Sequence, residues 1–280
     1  VPNDSNAFTR HLSEEEMINI PFAHAEGRFI IPEKLLEEMK TNHQTVFRYC
    51  DADGRISEEF PTNPNGSVYN LAAVSNNCGN VLAMMPHPER TELGDKLFSS
   101  MKEYIETSVP MNEKKISYKP TEKTIADYEP HENSNVWIVD LIITDNEAVT
   151  VENALQQKGF EVEVSKQTHW EISCSKNSTA TLKQIDDSGE LYNSNKEYLS
   201  DLPEEKETIS VLIRQKEDVH CQKKFDSLTQ RFKIRDLLQL KRGVVWNITI
   251  KNANFNSIFN DILDTNILHN PLSHECFRIS

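Results

Sequence analysis

Short apolar runs alternate with polar turns over the first hundred residues, a pattern typical of strands in a sheet. The runs lie within residues 18–30, 45–50 and 80–87. Turn sequences separate them, with DADG at 51–54 and NPNG at 63–66. Two further segments, 31–40 and 93–106, repeat their apolar residues at helical spacing. The pattern predicts an α/β domain over residues 1–108.

The region from 109 to 134 is polar, contains three prolines and has no sustained period, which predicts a linker. Beyond it the same order of strands and helices occurs twice, in residues 135–203 and 204–280. Each half has the size of a small split βαβ domain. Trp170 and Trp246 lie at comparable places in the two halves. We therefore expect two small α+β units in tandem.

Within each unit the elements follow from the same reading. The first unit has predicted strands at 135–144 and 161–173, a helix at 149–160 and a polar stretch at 175–203, of which 175–197 is expected to be a mobile loop. The second has predicted strands at 208–215, 241–250 and 275–280, and helices at 219–232 and 254–263.

The charge of the chain restricts its partners. With 44 acidic and 30 basic residues the formal net charge is -14, which disfavours a general nucleic-acid binder and an anionic membrane surface alike. Anionic small molecules stay open as ligands, because a local basic pocket suffices for them. The four basic residues Arg214, Lys216, Lys241 and Arg242 either touch a phosphate or an acidic neighbour, or form a solvated face.

The cysteines and the apolar runs bear on the compartment. The five cysteines, at 50, 78, 174, 221 and 276, are odd in number and form no C-x-x-C pair, which suits a reducing compartment. The sequence shows no apolar run of about 18 residues and no charged-then-apolar stretch, so we expect neither a membrane span nor a signal peptide. We expect a cytoplasmic protein that binds neither membrane nor nucleic acid.

A histidine between two prolines is the most informative local feature. His87 follows the apolar run and lies between Pro86 and Pro88, which restrict the backbone on both sides. Glu89, two residues on, can hold the far imidazole nitrogen and set its tautomer, as the carboxylate of a catalytic triad does. The alternative is a surface turn in which His87 has no catalytic part.

Several motifs occur together in order: IPFAHAEGRF, VFRYCD, NPNGS and GNVLAMMPHPER. With them the first hundred residues resemble the C-terminal half of a class I glutamine amidotransferase domain. Within that class they are most similar to the PurQ family, the glutaminase subunits of phosphoribosylformylglycinamidine synthase. The resemblance implies a flavodoxin-like α/β fold and a role in purine (IMP) biosynthesis.

The resemblance also implies roles for individual residues. His87 and Glu89 match the last two members of the family's Cys-His-Glu triad. His24 and Glu26 match a segment near the site and are candidate substrate-binding residues, and 63–67 matches a family loop. No metal site is implied.

The nucleophile of this triad is missing from the sequence. The family carries it in a G-x-C-x-G elbow, where a sharp turn exposes the thiolate, and none of the five cysteines has these glycines. Cys50 falls in a predicted strand and Cys78 has glycine on one side only. We expect either a fragment or a missing half that another polypeptide supplies, and a chain that is inactive alone.

The C-terminal units resemble the PurS family, small dimer-forming subunits that bridge glutaminase and synthetase in the same enzyme. The segments that carry the resemblance are 209–219, 240–250 and 267–279. Two such units in one chain would replace the pair that the small subunit makes by dimerising.

The implied activity is hydrolysis of glutamine to supply ammonia. The implied partner is the large synthetase subunit, which uses ATP and Mg; this chain has no glycine-rich phosphate loop, and no cofactor is expected in it. Two alternatives stay open. The chain could be a non-catalytic assembly component, or it could be the glutaminase of another class I amidotransferase. The PurS-like tail argues against the second of these. His269, His274 and Cys276 lack the further ligand of a tetrahedral metal site.

Overall fold

A computed structural model describes residues 6–13, 16–23, 27–107, 115–119, 125–175, 179–204, 207–250 and 255–279. The chain divides into two compact units, residues 1–121 and residues 122–280. Each unit has its own sheet.

The N-terminal unit contains a three-stranded antiparallel sheet. Its elements are helix α1 (Glu33–Thr41), strands β1 (Thr45–Arg48), β2 (Leu71–Ser75) and β3 (Leu82–Met84), and helix α2 (Asp95–Thr107). Strand β2 lies in the middle and is the most buried of the three. The two helices predicted at 31–40 and 93–106 are confirmed, although α2 begins only after a short 3-10 turn at Glu92–Gly94.

The strands of this unit were predicted only in part. The described parts of 18–30 contain no strand, whereas the predicted strand within 80–87, at Val81–Met85, is confirmed as β3. The central strand β2 was not predicted, because a short LAAVS run gives no distinctive period. All described strand pairs of this unit are antiparallel, so the flavodoxin-like sheet stays an expectation.

The C-terminal unit contains a seven-stranded sheet. Its elements are β4 (Ala126–Asp127), β5 (Ser134–Leu141), α3 (Asn146–Gln157), β6 (Val162–Cys174), α4 (Thr179–Ser188), β7 (Glu197–Ser200), β8 (Thr208–Gln215), α5 (Val219–Asp226), β9 (Leu237–Ile250), α6 (Phe255–Asp264) and β10 (His274–Ile279). The strand order is β4-β10-β8-β9-β6-β5-β7, antiparallel except between β10 and β4.

All four helices of this unit pack on one face of the sheet. Side chains alternate between faces along a strand, so the even-numbered residues of β6 and β9 share a face. Those residues form two buried clusters with helix side chains, Trp246 with Leu155 and Phe259, and Trp170 with Ile185. Burial of these large apolar groups is the main stabilisation of the unit.

The two halves of the sheet repeat each other. The orders β6-β5-β7 and β9-β8-β10 mirror one another about the central pair of β6 and β9. Trp137 of β5 pairs with Trp170, in the place where Val211 of β8 pairs with Trp246. Both predicted units therefore lie in one continuous sheet.

The repeat extends to the helix caps. Asp145 accepts hydrogen bonds at the start of α3, and Asp218 does the same at the start of α5. Lys166 of β6 forms an ion pair with Asp145 at 3.0 Å, and Arg242 of β9 approaches Asp218 to 3.9 Å. The same cation-and-cap arrangement occurs at equivalent places in both halves.

The predicted loop at 175–197 was the largest error in this unit. It contains helix α4, whose Leu182 and Ile185 pack into the core, and the edge strand β7 begins at its end. The predicted helix at 219–232 continues past α5 as a π-helical turn at Ser227–Arg231. Helix α3 begins earlier than predicted, and the described part of the predicted linker contains β4.

The second face of this sheet carries a buried polar cluster. The Arg214 guanidinium donates to Glu171 Oε2 at 2.7 Å, and the Tyr128 hydroxyl donates to the same oxygen at 2.8 Å. His169 Nδ1 lies 3.4 Å from Arg214. Arg214 reaches across β9 because Gly243 lies in between; a Cβ there would meet the Arg214 side chain at 3.1 Å.

Candidate active-site residues

The backbone around His87 is held by hydrogen bonds on both sides. Met85 N donates to Ala72 O at 3.0 Å, and His87 N donates to Pro21 O at 2.8 Å. Pro88 then begins a 3-10 turn, Pro88–Arg90, whose last N–H bonds back to His87 O at 3.2 Å. The imidazole is therefore attached to a fixed turn directly after β3.

His87 and Glu89, here called the dyad, contact each other through Nδ1 and Oε1 at 2.7 Å. Since a carboxylate accepts only, this contact assigns the proton to Nδ1 and leaves Nε2 as the basic nitrogen. Nε2 has no hydrogen-bond partner in the described part of the chain, and the His87 side chain is 32% exposed. A reacting group can reach it.

The environment keeps Glu89 ionised. Its own backbone N–H, then the His87 ring and the Arg90 charge, hold the pKa of the Glu89 carboxyl below its usual range. Arg90 Nε lies 3.6 Å from the carboxylate. An ionised Glu89 can orient the imidazole and stabilise its protonated form.

Gly94 is a positioning residue that sequence reasoning missed. A Cβ at this position would lie 2.2 Å from the Pro88 carbonyl oxygen, so only glycine allows the turn before α2 to approach the dyad's turn this closely. The signal available in the sequence was a glycine at the start of a predicted helix, where it costs helix stability.

Hydrogen bonds hold the NPNGS loop together. Further hydrogen bonds join this loop to residues 27–29, which follow the predicted substrate-binding residues. Buried Asn63 donates to Ser67 O and accepts from Ser67 N, both at 2.9 Å. Asn65 donates to Gly27 O at 3.0 Å, and Phe29 N donates to the Ser67 hydroxyl at 3.1 Å. Two of the sequence motifs therefore meet in space. His24 and Glu26 themselves lie outside the described residues.

A cavity of about 710 Å³ lies beside the dyad's loop. Pro86, the residue before His87, lines it together with Met84, Tyr49 and Cys50. Because β1 and β3 both run antiparallel to β2, their C-terminal ends share one edge of the sheet. Cys50 follows β1 at that edge.

Cys50 and Cys78, the two cysteines compared in the sequence, lie at opposite ends of the strands of this sheet. Cys78 lies between β2 and β3, at the opposite edge, so the length of β3 alone puts it roughly 10 Å or more from His87. No cysteine of the described residues makes a hydrogen bond with His87.

The other residues considered in the sequence were possible metal ligands near the C-terminus. The described residues contain no group of three His, Cys, Asp or Glu side chains that could hold a metal ion. His274 Nδ1 accepts instead from Asn270 N at 3.1 Å. Searched over the same part of the chain, no helix has the length and apolar character needed to cross a membrane.

Residues 1–112 match the CobB/CobQ-like glutamine amidotransferase domain. The resemblance to glutamine amidotransferases that the motifs indicated is thereby confirmed for this segment, which contains both residues of the dyad. Their catalytic roles stay predictions.

Curated relatives that this chain matches over part of its length are named phosphoribosylformylglycinamidine synthase subunit PurQ. The protein from Aquifex aeolicus is 52% identical over 90 residues, covering 32% of this chain and 39% of the relative. That from Chlorobium luteolum is 43% identical over 106 residues (35% and 45%), and that from Methanocaldococcus jannaschii 41% over 111 residues (37% and 47%). The chain spans less than half the length of these relatives.

Proposed function

We propose that this chain is a glutaminase component of phosphoribosylformylglycinamidine synthase in purine (IMP) biosynthesis. The observation that carries the proposal is the 2.7 Å contact of His87 with Glu89, inside residues 1–112, which match a glutamine amidotransferase domain. A histidine with a free Nε2 and an ionised carboxylate partner is the acid–base pair that amide hydrolysis by a thiol needs.

The proposed reaction converts glutamine and water to glutamate and ammonia. His87 Nε2 takes the proton of a thiol, and the thiolate attacks the side-chain amide carbon; the tetrahedral intermediate then expels ammonia when the protonated His87 gives that proton to the nitrogen. His87 then takes a proton from water, which attacks the thioester and releases glutamate and the thiol. Glu89 orients His87 throughout.

The attacking thiolate in this proposal is not one of the five cysteines of the sequence, since none has the G-x-C-x-G elbow. We expect the chain to be inactive alone. His24 and Glu26 are the proposed glutamine-binding residues. The chain itself needs no metal or cofactor for this chemistry.

The ammonia would be consumed by a large synthetase subunit that activates formylglycinamide ribonucleotide with ATP and Mg. The word "subunit" in the relatives' names supports such a complex. The proposed partner of this chain is therefore a synthetase, and its small-molecule substrate is glutamine.

The role of Glu89 can be tested in a chimera in which residues 1–112 replace the matching segment of the Aquifex aeolicus PurQ subunit. In that chimera we expect Glu89→Gln to reduce glutamine-dependent turnover about 10-fold or more, because glutamine's amide stabilises a protonated imidazole less well. Glutamate release is the measurement, taken across pH. Exposed Glu92→Gln is the matched control and should retain activity. Equal rates for both variants would remove Glu89 from the mechanism.

A second candidate function is assembly, and the repeated sheet of the C-terminal unit favours it. We propose that residues 135–203 and 204–280 are two PurS-like units that pair within one chain. Support comes from the central pairing of β6 with β9 and from the repeated caps at Asp145 and Asp218. On this view the tail docks the synthetase, and it could do so even without catalysis.

Docking is tested by mixing the full chain with the large synthetase subunit in analytical ultracentrifugation. We expect one complex that contains both proteins, because paired units already stand in for a dimer of the small subunit. Separate sedimentation of the two proteins, with glutamine and ATP present, would contradict the assembly role while leaving the dyad's chemistry untouched.

A further inference from the structure

The second half of the C-terminal unit contains a basic cavity that the glutaminase proposal does not use. Its volume is about 390 Å³, and it lies where β8 ends, α5 begins and β9 passes. All four basic residues singled out in the sequence line it: Arg214, Lys216, Lys241 and Arg242. In a chain with a net charge of -14, such a concentration of cations is unexpected.

The cations of this cavity are only partly neutralised. Two carboxylates, Asp218 and Glu275, also line it. Arg242 approaches Asp218 no closer than 3.9 Å, and the Lys216 ammonium donates to the uncharged Leu272 carbonyl at 3.0 Å. In the described part of the chain Lys241 forms no ion pair. Among the described ion pairs, Arg214 is the one cation of the lining with a close carboxylate, Glu171, which lies outside the cavity lining.

The first half of the sheet shows that the fold itself does not require these cations. If Trp170 and Trp246 are superposed as equivalents, Arg214, Lys216 and Lys241 correspond to Asp140, Ile142 and Ser165. Only Arg242 has a basic counterpart, Lys166. The extra positive charge is therefore specific to the second half.

We propose that this cavity binds a phosphorylated small molecule. Its volume lies in the range of small-ligand sites, and Phe225, Leu238 and Leu240 supply an apolar wall beside the charged one. The start of α5 adds the favourable end of a helix dipole. The pKa of neighbouring His220 is lowered, first by burial and then by the positive charges of Arg242 and Lys224. The contribution of these two charges agrees with a positive potential around the cavity. The inference is independent of the glutaminase activity.

The test uses inorganic phosphate with the full chain, followed by backbone amide chemical shifts at constant ionic strength. We expect saturable shifts confined to 216–222 and 238–242, and no saturation with chloride. Lys241→Ser, which installs the residue found at the equivalent position 165, should weaken phosphate binding about 10-fold, as expected for loss of a charge-assisted hydrogen bond. Exposed Lys183→Ser, with the same charge change, should bind as the unaltered protein does.

Three outcomes would overturn the proposal. The first is an absence of saturable shifts at tens of millimolar phosphate. The second is equal binding by Lys241→Ser and the unaltered protein, once matching thermal unfolding in chloride shows that the variant folds. The third is equal affinity for acetate, which would assign the cavity to a carboxylate, such as an acidic side chain of a partner protein.

Discussion

Replacing His87 with alanine in the PurQ chimera is expected to reduce glutamine-dependent turnover by about 100-fold or more. General acid–base catalysis by a positioned side chain contributes about 10²- to 10⁴-fold, and His87 Nε2 is the group that would move both protons. The variant leaves Pro86 and Pro88 in place, so the turn itself should persist. Glutamate release under saturating glutamine is the measurement.

Two controls separate chemistry from folding in this experiment. Supplying ammonium salt to the synthase that contains the His87→Ala chimera should restore product formation, because ammonia bypasses amide hydrolysis. Exposed His43 has a left-handed backbone, which asparagine tolerates, so His43→Asn should remain active. Unchanged glutamine-dependent turnover in His87→Ala would refute the proposed role of the dyad.

The second large effect is expected in the C-terminal unit, where Glu171→Gln should lower the free energy of unfolding by about 3–5 kcal/mol. The substitution keeps the side-chain shape but leaves the Arg214 charge buried beside a neutral group. Both partners are almost fully buried, with 8% and 2% of their side chains exposed. Urea denaturation followed by tryptophan fluorescence measures the change.

The stability should also depend on pH through this cluster. Burial alone would raise the pKa of Glu171, but Arg214, the His131 N–H and Tyr128 lower it to about 2. A lowered acid pKa contributes stability above about pH 4.5 that is lost as the pH falls towards 2. Burial, and then the Arg214 charge, lower the pKa of His169 to about 4, so protonation of the unfolded chain weakens the fold between pH 6.5 and 4.

The Glu171→Gln variant should lose the lower of these two pH windows and keep the upper one. Exposed Glu161→Gln is the matched control and should unfold as the unaltered protein does. Equal unfolding free energies for both variants at pH 7 would show that the ion pair contributes no net stability.

The dyad could be predicted from the sequence because its geometry is local. His87 and Glu89 are two residues apart, and the flanking prolines restrict the intervening backbone, so their contact follows from short-range sterics. Gly94 could not be found in the same way, since its constraint is a packing distance to Pro88 that no spacing encodes. The sequence showed the four basic residues of the cavity, but it did not show that they line one cavity.

The fold was predictable where long elements carry a clear period. Strands β5 and β8 and helices α1 and α2 have such patterns. Helix α4 was missed because lysine, glutamine and aspartate surround its two large apolar residues, so a polar composition concealed a half-buried helix. The Arg214–Glu171 pair joins two separate strands, and its partners could not be assigned without the register.

The central pairing of β6 with β9 has a consequence for how the protein is made. These strands come from opposite halves, so β6 leaves the ribosome well before its partner and presents a long unpaired edge. Such non-local pairing folds slowly, and a neighbouring nascent chain can offer its own β9 to the same edge. Domain-swapped dimers are therefore the expected misassembly at high expression, and slower synthesis should suppress them.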